Sequence, residues 1–497
     1  MKTQSSKSGT AHHLKGEAAD AARGSCGCFR NPEVKVEVEE KSVATPYGGL
    51  AVFHTLAKQL HLDREINKEL LLLKLPLPYW ESDHVLTHVY NLLCGGTCIE
   101  DIANLQQSEA VRRMLGAGRI PDPTTAGDFL RRFTTLASLA LLQRAIDRGR
   151  VKVWKKLPRE KRKRATIDLD SRIREVYGEC KQGADFSYDG RWSYHPLIAR
   201  LAETGEWLRV VNRPGNAVSQ EGALKMLAEC LDLTAPYFKE RIWRGDTAFY
   251  VADLINMSVK RGAHFVVCVD TMANLVKIAE KVSPRAWKAM KWHPQEKEIP
   301  EEDQRQKRIR WRSLKAQQRG YRNIASEEQE LAEFPYKPTG CDREYRMVVR
   351  RVLTRETQGQ EVLFAGYRYH FMLTDKEEWT PEEVVRFGYG RCGIENDLEQ
   401  QENGIATMKM PRGELLANWA FLLMAELAWN LKAWASLLLL SEETGVWEWK
   451  RFRQAFMYVG AKVIRQARQV VEKISGAHRY ATLLLRAMNR AAALNLS

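Results

Sequence analysis

The feature that most constrains the fold is an abrupt change of hydrophobic period after a basic run at residues 155–164 (KKLPREKRKR). Before this run, from Tyr47 to about Leu139, apolar residues recur at spacings of three and four, as in DHVLTHVYNLLC, which predicts amphipathic helices. After it, ATIDLD alternates polar and apolar residues, as a half-buried strand does. The sequence therefore predicts a helical region followed by a sheet.

The segments that follow define the kind of sheet. YHPLIARLA and EWLRVVNRPGNA predict two more strands, EGALKMLAECLDL a helix, ERIWRGD a strand, VADLINMSVKRG a helix and HFVVCVD a strand. Three neighbouring strands followed by alternating helix and strand predict an α/β fold with a mixed sheet flanked by helices. Further on, EYRMVVRRVLTRE and EVLFAGYRYHFMLTD predict a hairpin across TQGQ, and Thr380, Pro381 and Glu383 predict a helix that begins with a capping box.

The same patterns suggest where the chain divides. We expect a disordered tail, a helical N-terminal domain suited to DNA binding, a sheet domain interrupted by an insertion, and a basic helical C-terminal region. The corresponding ranges are 1–45, 46–150, 151–270 with 361–440, 271–360 for the insertion, and 441–497.

Composition limits the kinds of partner, and the cellular compartment, that the chain fits. Lys and Arg number 77 against 62 Asp and Glu, a formal charge of +15, which favours nucleic acid first and an acidic membrane surface second. Nine irregularly spaced cysteines do not form a disulfide framework and fit a reducing cytoplasm. The apolar tract Leu415–Leu440 is interrupted by Glu426, Asn430 and Lys432, which predicts a buried core helix and no membrane span.

Four carboxylates stand where a sheet of this kind collects ligands. Asp168 and Asp170 lie two apart on the first strand and share a face, while Asp246 ends the fourth strand in RGD. Glu395 lies in the capped helical region, and packing of that region on the sheet would bring the acids together. Such a cluster repels itself unless divalent cations neutralise it, and two Mg²⁺ ions there would support phosphodiester transfer. The alternative is that each acid only caps an element or is solvated.

The order of these segments resembles one known family. IDLDS on a strand, RGDTAFY, an insertion and Arg-x-x-x-Glu on a late helix are similar to the ribonuclease-H-like DDE transposases of bacterial insertion sequences, and the likeness covers nearly the whole chain. The resemblance implies a ribonuclease-H-like sheet with an N-terminal helical domain, an insertion before the last catalytic helix and a helical C-terminus. It implies that Asp170, Asp246 and Glu395 bind the catalytic metals, with Asp168 as a rival or helper.

The resemblance also implies cofactors and partners. We expect Mg²⁺, two ions, with Mn²⁺ able to substitute. The partners would be double-stranded DNA, as terminal inverted repeats and target DNA, and a second copy of the chain in a homodimer on that DNA. The expected location is the bacterial cytoplasm, in association with the nucleoid.

The late helix carries an incomplete form of the family's Tyr-Arg-Glu-Lys signature. Arg391 stands four residues before Glu395, as in the family, and would face the scissile phosphate. Tyr389 is two residues before Arg391 where the signature has three, and Glu402 occupies the position expected to hold Lys. Either a basic residue of the following loop supplies that charge, or this copy is weakened. The candidate loop residues are Lys409 and Arg412.

Two further regions are candidates for contact with DNA. Basic residues from Lys450 onward recur at helical spacing beside an apolar face, which predicts a phosphate-binding helix face, a solvated face being the alternative. They include Arg451, Arg453, Lys462, Arg465 and Arg468, beside Val459, Val463, Val470 and Ile474. In the insertion, Trp292 lies among basic residues; related transposases place an aromatic ring against a flipped base, and core packing is the alternative.

These patterns support three hypotheses about function. The first is a transposase that cuts DNA at the ends of an element and joins the freed 3′-hydroxyl to target DNA. The second is a DNA-binding protein derived from such an enzyme that no longer cuts, which the Glu402 departure keeps open. The third is a metal-dependent nuclease that hydrolyses DNA without strand transfer.

Overall fold

The computed structural model describes residues 43–290, 322–358, 361–467 and 469–494. Its strands, numbered in chain order, are β1 (Ala44–Thr45), β2 (Arg164–Ser171), β3 (Arg174–Glu175), β4 (Asp185–Phe186), β5 (Trp192–Tyr194), β6 (Leu197–Leu201), β7 (Glu206–Val211), β8 (Glu240–Gly245), β9 (His264–Val269), β10 (Lys288–Ala289), β11 (Arg322–Tyr336), β12 (Tyr345–Gln358), β13 (Glu361–Thr374), β14 (Ala461–Gln466) and β15 (Gln469–Ile474).

The helices fall before, within and after the sheet region. They are α1 (Leu50–Gln59), α2 (Leu62–Glu69), α3 (Glu81–Leu93), α4 (Ala103–Gln106), α5 (Glu109–Leu115), α6 (Pro123–Leu130), α7 (Leu136–Lys156), α8 (Ala223–Thr234), α9 (Ala252–Lys260), α10 (Ala273–Lys281), α11 (Pro381–Tyr389), α12 (Cys392–Asn403), α13 (Leu415–Leu438), α14 (Glu442–Gly445), α15 (Trp449–Phe456) and α16 (Ala481–Ala493).

A mixed sheet organises the described residues. Its order is β10-β11-β12-β13-β9-β8-β2-β6-β7, with β6 and β7 antiparallel and β8 and β9 parallel to their neighbours on the β2 side. Three consecutive antiparallel strands followed by two parallel strands reached through helices form the predicted ribonuclease-H-like arrangement. The predicted mixed sheet flanked by helices is confirmed.

The strand β13 and, beyond it, the strands β12 and β11 of the predicted insertion extend this same sheet. β13 pairs antiparallel with β9, and β12 and β11 follow outward. The predicted hairpin is confirmed, because Gln358 at the end of β12 pairs with Glu361 at the start of β13. Residues 291–321, which include Trp292, lie outside the described residues.

Apolar side chains cover both faces of the sheet. On one face, α8, α9 and α10 enclose a core that includes Leu227, Ile255 and Leu275. On the other, the long helix α13 shares a continuous core with the helices that precede the sheet. The apolar tract at 415–440 is therefore the buried core helix that its sequence predicts, and no helix in the described ranges has the length and apolar composition to cross a membrane.

The late helical region consists of two helices. The predicted capping box is confirmed: the Thr380 side chain accepts from the Glu383 amide at 3.2 Å, and the Glu383 carboxylate accepts from the Thr380 amide at 2.7 Å. α11 ends at Tyr389, and α12, which carries Glu395, begins at Cys392. Only Gly390 and Arg391 separate the two helices, and both keep helical backbone angles.

The helical spacing predicted for the basic C-terminal segment is wrong between residues 461 and 474. β14 and β15 form an antiparallel hairpin there, with Gln466 paired to Gln469 across the turn. Val463, Ile464 and Val470 are β-branched, and such residues favour a pleated strand over a helix. β1, which the sequence placed in the tail, pairs with β14, while residues 1–42 lie outside the described part of the chain.

A buried ion network joins the helices before the sheet to α13 and β7. Arg150 of α7 is fully buried; it donates to Glu426 of α13 at 2.7 Å, to Glu206 of β7 at 3.3 Å and to the Trp207 carbonyl at 2.6 Å. Glu206 also accepts from the indole nitrogens of Trp154 and Trp434. The acids are therefore neutralised and hydrogen-bonded only while all three elements are packed together.

We expect Arg150→Ala to lower the thermal stability strongly, because it leaves two buried carboxylates without their cation, a loss of about 3–5 kcal/mol. Arg148→Ala is the matched control on the same helix; Arg148 pairs with Glu65 and Glu69 but its side chain is 35% exposed, and such pairs contribute about 0–1 kcal/mol. Thermal unfolding followed by circular dichroism measures both. Equal loss in the two variants would contradict the role of the network.

Candidate active site

Two of the predicted acids lie at the ends of adjacent strands. β2 and β8 are parallel neighbours, and Asp168 is in register with Arg244. Continuing that register by two residues puts Asp170 beside Asp246. Asp170 has a side chain only 12% exposed, whereas Asp246 is partly exposed just beyond the end of β8. The strand pairing thus brings together two carboxylates that are 76 residues apart in the sequence.

Arg391 joins the third acid to this pair. Its guanidinium nitrogens lie 3.4 Å from Oδ2 of Asp170 and 2.8 Å from Oε1 of Glu395. The side chain of Glu395 is 54% exposed, so the site opens to solvent on the side of α12. Of the sequence-predicted residues, Arg391 therefore contacts both Asp170 and Glu395, and Asp246 lies at the end of the strand next to Asp170.

The electrostatics of Asp170 reflect this crowding. The pKa of Asp170 is raised to about 6: burial is the largest cause, Arg391 opposes it, and the nearby carboxylates of Asp246 and Glu395 add to the rise. The opposing guanidinium is a counter-ion for the acid cluster. Hard carboxylate oxygens that repel one another are the donor set that suits a hard divalent cation.

Within the described ranges, no three His, Cys, Asp or Glu side chains lie together as a metal-binding group. At the predicted site, the guanidinium of Arg391 contacts both Asp170 and Glu395. Asp246 has one oxygen occupied as well, since Oδ1 accepts from the Ala248 amide at 3.0 Å and so caps a short helical turn. A metal ion could join these acids once Arg391 turned away from between them.

Asp168 was predicted as a rival or helper ligand, and the structure gives it another role. Its side chain is fully buried, with Oδ1 accepting from Nε of Arg244 at 2.6 Å and Oδ2 from a terminal nitrogen of Arg244 at 2.9 Å. Arg200 lies 3.4 Å from the same Oδ2. With both oxygens occupied by arginines below the surface, Asp168 is not placed to bind a metal, and the prediction for it is corrected.

The two arginines that bind Asp168 also contact the late helices α11 and α12. Arg244 donates to the Phe387 carbonyl of α11 at 2.7 Å, and Arg200 pairs with Asp397 of α12. A Cβ at Gly390 would lie 2.4 Å from Arg244, so the backbone approaches the guanidinium closely only because this residue is glycine. Sequence reasoning missed Arg244 and Arg200. The one signal was that Arg244 precedes Asp246 by two and therefore shares its face of the strand.

Hydrogen bonds of Ser171 and His195 surround Asp170. The amide of Ser171 donates to Oδ1 of Asp170 at 2.7 Å. The hydroxyl of Ser171 lies 3.0 Å from Nε2 of His195, whose Nδ1 lies 2.7 Å from the Ala217 carbonyl. Burial lowers the pKa of His195, so the ring is neutral, donates from Nδ1 and accepts from Ser171 at Nε2.

Glu402, the acid at the position expected to hold Lys, is neutralised by two arginines that follow β2. Glu402 pairs with Arg174 and, at 3.3 Å, with Arg172, both just beyond Asp170 in the sequence. One acid and two arginines leave a net positive charge beside the cluster. Tyr389, which the signature predicts as a DNA contact, accepts at its hydroxyl from Arg350 of β12 at 2.6 Å, and its contact with DNA stays a prediction.

The remaining residues predicted to contact DNA differ in how exposed their side chains are. Lys409 is exposed and, with Arg412, borders a cavity of about 640 Å³ that Arg131 also lines. Arg465 on β14 is exposed, and the Arg451 guanidinium lies 3.8 Å from the centre of the Trp447 ring. Arg453 is a correction, because it is buried and donates to the Gly404 carbonyl at 2.8 Å, which leaves it no surface for a phosphate.

We expect opposite effects from removing the charge of the two aspartates on β2. Asp170→Asn should raise the thermal stability of the metal-free protein at pH 8: burial disfavours its carboxylate, and with a pKa of about 6 that penalty is present above pH 6 and absent below pH 4. Asp168→Asn should lower stability, because it leaves Arg244 buried without its counter-ion. Melting curves at pH 5 and pH 8 in a chelator test both; a loss of stability in Asp170→Asn at pH 8 would contradict the first.

Comparison with known proteins places the chain in a family. A search of curated proteins found no match. Among solved structures, the chain is similar to one titled as a cryo-EM structure of the piggyBac transposase synaptic complex with hairpin DNA, at 10% identity and a TM-score of 0.37, over 84% of this chain and 82% of that one. The model of the family described as "Transposase DDE domain group 1" matches residues 27–496. Because that match spans nearly the whole sequence, the chain belongs to this family of DDE transposases.

Proposed function

We propose that this transposase cuts DNA at the ends of a mobile element and joins the freed 3′-hydroxyl to target DNA, with Asp170, Asp246 and Glu395 as the metal-binding acids. The observation that carries the assignment is the convergence of these acids on Arg391: it contacts Asp170 and Glu395, while Asp246 and Glu395 both raise the pKa of Asp170. A purely structural set of caps has no reason to concentrate negative charge at one point.

DDE transposases use divalent metal ions. For this chain we propose two Mg²⁺ ions, with Mn²⁺ as a substitute. Bound there, the ions would activate the attacking oxygen and stabilise the leaving oxygen of the phosphodiester. The oxygens available to them are those of Asp170 and Glu395 that now face Arg391, and the second oxygen of Asp246.

In this proposal, the side chain of Arg391 takes two positions. Without metal it neutralises the acids; with metal bound, its guanidinium would turn towards the solvent side, where Glu395 is exposed. A phosphate entering from that side would receive a bidentate contact from the freed guanidinium. The same side chain would thus stabilise the empty site and position the substrate.

The proposed substrate is double-stranded DNA, as terminal inverted repeats and then target DNA, held by a homodimer in the bacterial nucleoid. The net charge of +15 supports phosphate binding in general. Lys409, Arg412, Arg451 and Arg465 are the proposed contacts. Trp292 is kept as a proposed base-stacking residue on sequence grounds alone.

The alternative of a weakened, DNA-binding copy rested on Glu402 standing in place of Lys. Its pairing with Arg172 and Arg174 argues against that alternative, because the positive charge missing from α12 is supplied by the adjoining strand. A hydrolytic nuclease would use the same acids. It would differ in failing to join a 3′-hydroxyl to a second duplex.

We expect Glu395→Gln to abolish Mg²⁺- or Mn²⁺-dependent cleavage of DNA carrying the element's end while leaving DNA binding largely intact, because the substitution removes a metal ligand but no phosphate contact. Glu399→Gln is the matched control: Glu399 is exposed one turn further along α12 and makes the same change of charge. Gel assays of cleavage and strand transfer, with anisotropy for binding, measure the outcome.

Equal cleavage by wild type and Glu395→Gln would remove Glu395 from the active site. Cleavage without any joined product would instead favour the hydrolytic nuclease. Binding without cleavage in the wild type, with either ion, would favour the DNA-binding protein.

A further inference from the structure

The loop that joins α2 to α3 carries apolar side chains in solvent. Its residues 70–80 read LLLLKLPLPYW, and Lys74 is the one charged residue among them. The exposed fraction is 85% for Leu71, 76% for Leu75, 78% for Leu77 and 49% for Trp80. Single exposed apolar residues are common on protein surfaces, but several within one short segment mark a site of interaction. We name residues 70–80 the apolar loop.

Hydrogen bonds at both ends fix the backbone of the apolar loop. The amides of Leu72 and Leu73 both donate to Oε1 of Glu81, each at 3.1 Å, and Glu81 is buried at the start of α3. At the other end, the hydroxyl of Tyr79 donates to the Ile120 carbonyl at 3.2 Å. Leu72 and Leu73 also pack against the core of the helical region. The exposed side chains therefore project from a fixed backbone, and a partner would bind them without the cost of ordering a mobile loop.

The charge of the apolar loop does not fit DNA. A protein that binds duplex DNA neutralises several phosphates with Lys or Arg, and the loop offers only Lys74. Among the residues that flank the loop, Lys68 is outnumbered by the acids Glu69 and Asp83. A segment that lies on a membrane surface likewise combines apolar residues with several Lys or Arg. The pattern instead matches the core of a protein interface, where charged residues are depleted.

The exposed apolar area is close to what a dimer needs. Each exposed leucine and the half-exposed ring of Trp80 present roughly 100 Å² of apolar surface, which is roughly 400 Å² for one copy. About 57% of a protein interface is apolar, so this area corresponds to about 700 Å² in all, against about 800 Å² per partner in a stable complex. Leu71 and Leu77 are separated by at most about 20 Å of chain, which lies within one patch of that size.

A second copy of this chain is the partner that fits these properties. In a two-fold dimer the same patch meets itself, so an apolar surface with a single charge is complementary to its own copy, and both copies are covered at once. The function proposed above also needs two copies to hold two DNA ends, and the inference rests on it in that respect. Because this contact involves no phosphate, it does not require DNA. We infer that the apolar loop is a self-association surface, through which the protein forms a dimer before it meets DNA.

Sedimentation equilibrium of the full-length protein without DNA tests the inference. Wild type should form a reversible dimer in the micromolar range, and the dimer should persist when NaCl is raised from about 0.1 M to about 0.5 M, since salt weakens phosphate contacts but not apolar ones. Leu75→Glu and Leu77→Glu should each weaken the dimer at least about tenfold, because a carboxylate buried without a partner is unfavourable. Leu75→Met keeps the apolar surface and should keep the dimer.

A matched variant separates the apolar loop from a general effect of added charge. Leu485→Glu makes the same change at a leucine that is 60% exposed on α16, and its dimer should persist. Melting temperatures measured where all variants are monomeric should be equal, because the substituted side chains are exposed.

Three results would overturn the inference. The first is a wild type that stays monomeric throughout the micromolar range, and the second is dimerisation of Leu75→Glu and Leu77→Glu as in wild type. The third is that these variants instead lose binding to a DNA duplex or to vesicles of phosphatidylcholine and phosphatidylserine. Metal-dependent cleavage by a wild type that is monomeric without DNA would contradict this inference alone. A wild-type dimer that never cuts DNA would contradict the proposed function and support the self-association surface.

Discussion

The buried pair of Asp168 and Arg244 is the interaction on which the geometry of the site depends. Arg244 lies on β8 two residues before Asp246, and Asp168 lies on β2 two residues before Asp170, so the pair joins the two strands at the point from which Asp170 and Asp246 follow. The same guanidinium binds the Phe387 carbonyl, where α11 ends. Because a charge buried without its partner is strongly unfavourable, this pair fixes the strand register and the position of α11 at once.

Above that pair, the protein holds carboxylates together against their mutual repulsion. Arg391 offsets part of the cost, yet the pKa of Asp170 remains raised, to about 6, because burial and the neighbouring acids outweigh one guanidinium. Sites arranged for chemistry commonly reduce stability in this way. The buried network around Arg150, which joins the helices before the sheet to α13 and β7, is the kind of rigid support that such a site requires.

The pairing of Glu402 shows how a departure from a family signature can be compensated in space. In the sequence, an acid at this position predicts added repulsion near a phosphate. In the structure, Arg172 and Arg174, which follow Asp170 closely in the sequence, pair with this acid and compensate its negative charge.

The sequence by itself determined the sheet, its flanking helices, the hairpin of β12 and β13, the buried helix at 415–438 and the capped start of α11, because each depends on a local period or cap. The family resemblance added the three acids and Arg391 as candidates. Local pattern failed at residues 461–474, where basic and apolar residues fit a helical spacing but β-branched residues pair in a hairpin that β1 completes.

Only the tertiary structure decided which of two equivalent aspartates on β2 is available. Asp168 and Asp170 share a strand face, so their sequence positions are alike; the difference is that Arg244 and Arg200, from two other strands, enclose the first and leave the second beside Asp246 and Arg391. The tertiary structure also decided the surroundings of two other charged residues: Arg453 is buried, and Glu402 is paired with arginines. The sequence gives the charge and spacing of each residue, but residues far away along the chain determine whether that charge is paired with a counter-ion or exposed to solvent.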